Sequence, residues 1–119
     1  MIFYGVEKMI FVTGPRYSNK QKYIMEQLGM TEEEFITNGI RDAEELVREN
    51  IIREEMEELS EKLSKEKRIV IANEVGGGVV PMDPEERAFR ERAGRFACLL
   101  SEKAERVIRV VCGLGQVLK

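Results

Sequence analysis

Three short apolar runs constrain this chain more than any other feature: Lys8 to Thr13 (KMIFVT), Arg68 to Ala72 (RIVIA) and Val107 to Cys112 (VIRVVC). Each is rich in β-branched residues and stops at a glycine or a polar pair, so each reads as a buried strand. Between them, apolar residues recur at three- and four-residue steps, the helical period. Strands alternating with helices predict an α/β fold, with a small, mostly parallel sheet of three to four strands flanked by helices. Gly113 to Lys119 is the candidate for the fourth strand. A length of 119 residues suits one compact domain, residues 1–119, and not two. Met9 opens the first strand, so the segment MIFYGVEK reads as an upstream extension or a leader.

The helices carry their own punctuation. Lys20 to Leu28 fits a helix with Gly29 as its stop. Thr31 to Thr37 begins with Thr31 as a cap and Glu34 three residues on, a capping box, and Asn38-Gly39 breaks it. Arg41 to Ser64 is the longest helical segment, with a stripe of Ala43, Leu46, Val47, Ile51, Ile52, Met56, Leu59 and Leu63. Its dense Glu, Lys and Arg make a solvated face. Asp83, Pro84 and Glu86 open a last helix with a second capping box, and Phe89, Ala93, Phe96, Ala97, Leu100 and Ala104 form its apolar side.

Charge and residue counts exclude several functions. A net charge of −3 and a pI near 5.2 argue against a nucleic-acid binder working through a basic surface. No apolar run approaches a membrane span, and no secretory signal precedes the first strand. Cys98 and Cys112 form no CxxC and read as reduced thiols of a cytoplasmic protein. The chain has no histidine, which removes histidine bases, histidine metal ligands and phospho- or nucleotidyl-histidine intermediates.

The turn after the first strand holds the first candidate site. A phosphate loop reads GxxxxGK followed by Ser or Thr; here the eight positions are Gly14, Pro15, Arg16, Tyr17, Ser18, Asn19, Lys20 and Gln21. The first glycine and the lysine are in place. Asn19 stands at the second glycine, where it tolerates positive φ better than other non-glycine residues. Gln21 replaces the hydroxyl that ligates Mg²⁺, a poorer and longer substitute. Lys20 and the helix N-terminus still attract a phosphate. The alternative is an ordinary strand-turn-helix with a chance glycine and lysine.

Glu74 is the second candidate, at the carboxyl end of a parallel strand, where open α/β sheets bind ligands. It can serve as a metal carboxylate or a base, or it can simply close the glycine turn that follows. Gly76, Gly77 and Gly78 can admit a ligand close to the backbone or form a mobile turn. Arg87, Arg90, Arg92 and Arg95 suit phosphate, yet the interleaved Glu85, Glu86 and Glu91 equally suit a surface ion-pair network. Gly94, in mid-helix, allows a close packing contact or leaves room for a ligand.

The stretch NEVGGGVVPMDPEERAFRERAGR, Asn73 to Arg95, resembles the adenosylcobinamide kinase / adenosylcobinamide-phosphate guanylyltransferase family of cobalamin biosynthesis. The resemblance rests on Asn73, Glu74, Val75, Gly76, Gly78, Val79, Val80 and Pro81, then on Phe89, Arg90, Glu91, Gly94 and Arg95. The closing AERVIRVVCGLGQVLK and the placement of VTGPRYSNK after the first strand extend it. It is close over Arg68 to Lys119 and loose over the first thirty residues.

The middle departs. Family members place further strands, an acid and a catalytic histidine there, so the chain resembles a shortened member with a truncated phosphate-loop fold. The resemblance implies ATP or GTP with Mg²⁺ as the phosphate donor and a cobinamide hydroxyl as acceptor. Lys20 and Glu74 would be catalytic, Gly14 to Gln21 with Arg90 and Arg95 would hold phosphate, and Asn73 with Gly76 to Gly78 would form a ligand loop. No protein ligand set for a resident metal is implied. Histidine-mediated guanylyl transfer is closed to it, and the alternative is a non-catalytic nucleotide- or corrinoid-binding relative or partner subunit. A small sheet with apolar edges, together with the resemblance, implies a homo-oligomer.

Overall fold

The computed structural model describes residues 8–76 and 82–119. Five strands form one sheet: β1 Ile10–Gly14, β2 Gly39–Ile40, β3 Ile69–Asn73, β4 Arg106–Val111 and β5 Leu114–Val117. Their order is β2-β3-β1-β4-β5, parallel throughout except for the antiparallel β4–β5 hairpin. The α/β architecture is the expected one. The expected three to four strands become five because β2, two residues long, falls on the Asn38-Gly39 break and has no apolar run of its own.

Alternation along each strand divides the core into two layers. Met9, Phe11, Val70, Ala72 and Val107 face one layer, and Ile10, Val12, Ile69, Ile71, Ile108 and Val110 face the other. The first layer is covered by α3 (Arg53–Glu66) and α4 (Pro84–Lys103), through Met56, Leu63, Phe89, Phe96 and Leu100. The second is covered by α1 (Lys20–Leu28) and α2 (Glu32–Asn38), through Ile24 and Phe35. Each fully buried Leu, Ile or Phe contributes about 1.5–3 kcal/mol by leaving water.

Local chemistry sets the helix ends. Gly29 closes α1 in the left-handed region (φ 62°). At α2, the Thr31 hydroxyl accepts from the Glu34 amide and the Glu34 carboxylate accepts from the Thr31 amide, the expected capping box. No helix among the described residues is long and apolar enough to cross a membrane.

Two expectations are corrected. Arg41 to Ser64 is not one helix: a 3₁₀ turn, Ala43–Val47, is followed by non-helical residues, and α3 starts at Arg53. Arg92 of α4 causes part of the break. It donates to the Val47 and Arg48 carbonyls (2.9 and 2.7 Å), which a continuous helix would use for itself. The Ile52 amide turns instead to the Glu55 carboxylate (3.1 Å), and β-branched Ile51 and Ile52 offer little helical preference against this. At α4, Asp83 accepts from the Glu85 amide (3.0 Å), but Glu86 completes no box; its carboxylate is taken by Arg48 at 3.1 Å.

Candidate functional site

The carboxyl ends of β2, β3, β1 and β4 bring the candidate residues together. Gly14 ends β1 with φ 148°, and a Cβ there would collide with the Val110 carbonyl of β4, so only glycine lets the chain turn at this point. The loop then passes through two left-handed residues, Tyr17 and Asn19, both at φ 63°. Asn19 thus adopts the positive φ foreseen for it and caps α1 without a side-chain bond. The loop is braced from the β4–β5 turn, where Cys112 (φ 54°) and Gly113 (φ 77°) form a primed hairpin and the Gly113 amide donates to the Ser18 carbonyl at 3.1 Å.

Lys20, the first residue of α1, points back into this loop. It is only 6% exposed, and its ammonium donates to the Pro15 carbonyl at 2.6 Å and lies 3.4 Å from the Ser18 hydroxyl. Burial lowers its pKa from the usual lysine value, and the Glu44 and Asp42 carboxylates partly oppose that shift. Gln21 is engaged elsewhere: its carbonyl accepts from Arg41 (3.3 Å) and its amide meets the Met25 sulfur (3.6 Å).

Asp42 and Glu44, which sequence reasoning missed, face Lys20 electrostatically. Glu44 is only 2% exposed, yet it carries a carboxylate whose oxygens accept from the Asn73 amide (2.9 Å) and the Asn73 side chain (2.8 Å). The same Asn73 nitrogen donates to Asp42 at 3.0 Å, so one side chain gathers both acids. Arg16 approaches Glu44 at 3.8 Å. The middle region therefore does supply acids beside the loop, where the sequence offered no counterpart. The available signal was faint: two acids just beyond a strand too short to recognise.

Glu74 stands where the sequence put it, just past β3, with its amide donating to the Gly14 carbonyl at 2.8 Å. Its carboxylate is gripped by Arg109 of β4 through bonds of 2.6 and 2.9 Å, which hold its pKa below the usual carboxylate value. Arg109 was also missed, although it is the one charge in the middle of an apolar strand. Gly76 has φ 110° and its carbonyl accepts from Arg90. Gly77 and Gly78 lie outside the described residues. Arg95 bonds Glu91, one turn back on its own helix, at 3.0 Å.

No group of three or more Asp, Glu, Cys or His among the described residues is arranged to hold a metal. Two carboxylates gathered by one asparagine still suit Mg²⁺ arriving with a nucleotide, which commonly takes one or two protein carboxylates and completes its shell with phosphate and water. A family model described as cobinamide kinase / cobinamide phosphate guanyltransferase matches residues 10–118. No curated protein matches the chain.

Proposed function

The chain belongs to the cobinamide kinase / cobinamide phosphate guanyltransferase family, and from that premise we propose that it carries out the kinase reaction alone, moving the γ-phosphate of ATP or GTP to a cobinamide hydroxyl. The supporting observation is the pairing of a buried Lys20 at the head of α1 with the Asp42–Glu44 carboxylates opposite it. In the loop Gly14 to Asn19, the backbone amides of Arg16 to Asn19 face the phosphates, and Lys20 neutralises their charge. Asp42 and Glu44 are the residues to hold Mg²⁺, which supplies charge neutralisation across the phosphates when bound.

In the transfer, the acceptor oxygen forms a bond to the γ-phosphorus as the bond from that phosphorus to the bridging oxygen breaks. The nucleoside diphosphate leaves, and the hydroxyl proton passes to Glu74. A loose transition state needs little activation of the hydroxyl, so a weakly basic carboxylate suffices. Arg90 and Arg95 flank the outer approach, and Asn73 with Gly76 borders the acceptor. Guanylyl transfer through histidine has no residue to work with in this chain. The assay is transfer of labelled γ-phosphate to cobinamide, abolished in Lys20→Met. Nucleotide binding without any transfer would overturn the kinase reading.

One observation favours a second reading, a non-catalytic nucleotide- or corrinoid-binding relative or partner subunit. Gln21 replaces the metal-ligating hydroxyl and is turned to Arg41 and Met25. The readings separate on Mg²⁺: a kinase binds nucleotide more tightly with it, and a degenerate site is indifferent. We further propose a single cytoplasmic domain that self-associates through the β5 edge, where Leu114, Val117 and Leu118 are exposed. Light scattering tests the association, and a monomer at micromolar concentration overturns it.

A further inference from the structure

Asp42 and Glu44 are carried by an element that does not hold itself in place. They stand at the start of the 3₁₀ turn Ala43–Val47. So short a helical turn is unstable by itself. Asp42, at its cap position, makes no side-chain bond to the turn's own amides; its carboxylate accepts from Asn73 instead. The strand before the turn, β2, is only two residues long. Residues 48–52 after it belong to no helix or strand.

The far end of the turn is held by α4. Arg92 donates from Nε to the Val47 carbonyl (2.9 Å) and from Nη2 to the Arg48 carbonyl (2.7 Å). One planar fork thus satisfies two carbonyls that the end of a helical turn leaves open, and its charge meets the negative end of the turn's dipole. Arg48 returns the grip. It donates to Glu86 of α4 at 3.1 Å, and its guanidinium carbon lies 3.7 Å from the centre of the Phe89 ring. Buried Ala43 and Val47 join the same core layer as Phe89.

Val47 lies one 3₁₀ turn past Glu44, about 6 Å along the axis. A shift at the Arg92 end is therefore carried to the carboxylates by a single turn. Glu44 tolerates little of it: it is buried, and both its oxygens accept from Asn73. A displaced turn breaks those bonds where no water replaces them.

We propose that Arg92 is the positioning residue of the acid pair: from α4 it fixes the turn whose other end presents Asp42 and Glu44 beside the phosphate loop. The inference rests on the kinase reading above for what the acids do there. It adds that the strength of metal binding is set by a side chain that acts through the turn's backbone and not on metal or nucleotide.

The test uses the intact protein with Arg92→Met, which keeps the stem and loses both donors, and Arg92→Lys, which keeps the charge but not the fork. Hydrogen exchange reads the Asn73 amide, whose acceptor is Glu44. Calorimetry reads ATP with and without Mg²⁺. In Arg92→Met, Asn73 protection and the tightening of ATP by Mg²⁺ should each fall by about tenfold, while ATP without Mg²⁺ binds within about twofold of wild type. Arg92→Lys should recover only part of each effect, and it carries the same readouts if the methionine variant does not fold. Wild-type Asn73 protection in a folded Arg92→Met protein overturns the positioning role. So does an equal loss of ATP affinity with and without Mg²⁺, the mark of general packing. A wild type whose ATP affinity ignores Mg²⁺ removes the metal from the kinase reading. Asn73 exchange then decides the positioning by itself: lost protection upholds it, and kept protection overturns it.

Discussion

Arg109 and Glu74 meet over the end of β1, the guanidinium from β4 and the carboxylate from just past β3, with Nε to Oε2 at 2.6 Å and Nη2 to Oε1 at 2.9 Å. The strand they bridge is the one that feeds the proposed phosphate loop. The pair thus fixes the two flanks of the loop's root, and its two-point geometry gives Glu74 one orientation.

Arg109→Leu should expose that coupling through pH. Glu74 is held below the usual carboxylate value chiefly by its bonds to Arg109. A depressed folded pKa stabilises the native state above the ordinary carboxylate range, and that contribution fades as pH falls through the folded value. The melting temperature of wild type should therefore exceed that of the variant most at neutral pH, with the gap closing in acid. Thermal melts from about pH 7 to about pH 3 read this directly. A gap that stays constant would mean that Arg109 acts by packing alone.

Asp42→Asn should separate metal from fold. Asp42 sits at φ 56°, a conformation that asparagine also accepts, and an amide oxygen can still take the bond from Asn73. The variant should melt near wild type. The tightening of nucleotide by Mg²⁺ should fall by about tenfold, as expected when one of two carboxylate ligands is neutralised. An unchanged Mg²⁺ effect in calorimetry would remove Asp42 from the metal site.

Glu44→Gln is expected to be costly despite its small change in shape. Both Glu44 oxygens face donors on Asn73, so an amide nitrogen must oppose one of them in a buried place. The expected loss is about 1–3 kcal/mol. It should appear as a lower urea midpoint with an unchanged slope. A midpoint equal to that of wild type would show that water reaches this pair.

Gln21→Ser is a gain-of-function test. It returns a hydroxyl to the first turn of α1 and releases Arg41 from its 3.3 Å bond. Mg²⁺-dependent affinity for ATP should rise by about threefold to tenfold. No gain would mean that the metal is held without that position.

The strands of the inner sheet were legible because burial on both faces leaves a continuous apolar signature, as in KMIFVT and RIVIA. Lys20 and Asn19 were legible because their neighbours in sequence are also their neighbours in space, and Glu74 because it directly follows a recognisable apolar run. Asp42, Glu44 and Arg109 were not, since their partners lie 29 to 35 residues away and no local pattern encodes the contact. The broken helix at 48–52 failed for the same reason: the arginine that takes its carbonyls arrives from α4, 44 or 45 residues on. Periodicity reports which face of an element is buried. It does not report which distant side chain will compete for its backbone.

The Lys20 ammonium is already satisfied by the Pro15 carbonyl inside its own loop. On the proposed reading, an incoming phosphate must win the lysine from a resident acceptor, and the measured affinity will be the intrinsic affinity multiplied by the fraction of molecules whose loop leaves the lysine open. Anything that loosens Pro15 raises that affinity without touching the nucleotide. The loop, in this sense, is its own competitive inhibitor, present at a fixed concentration that dilution cannot lower.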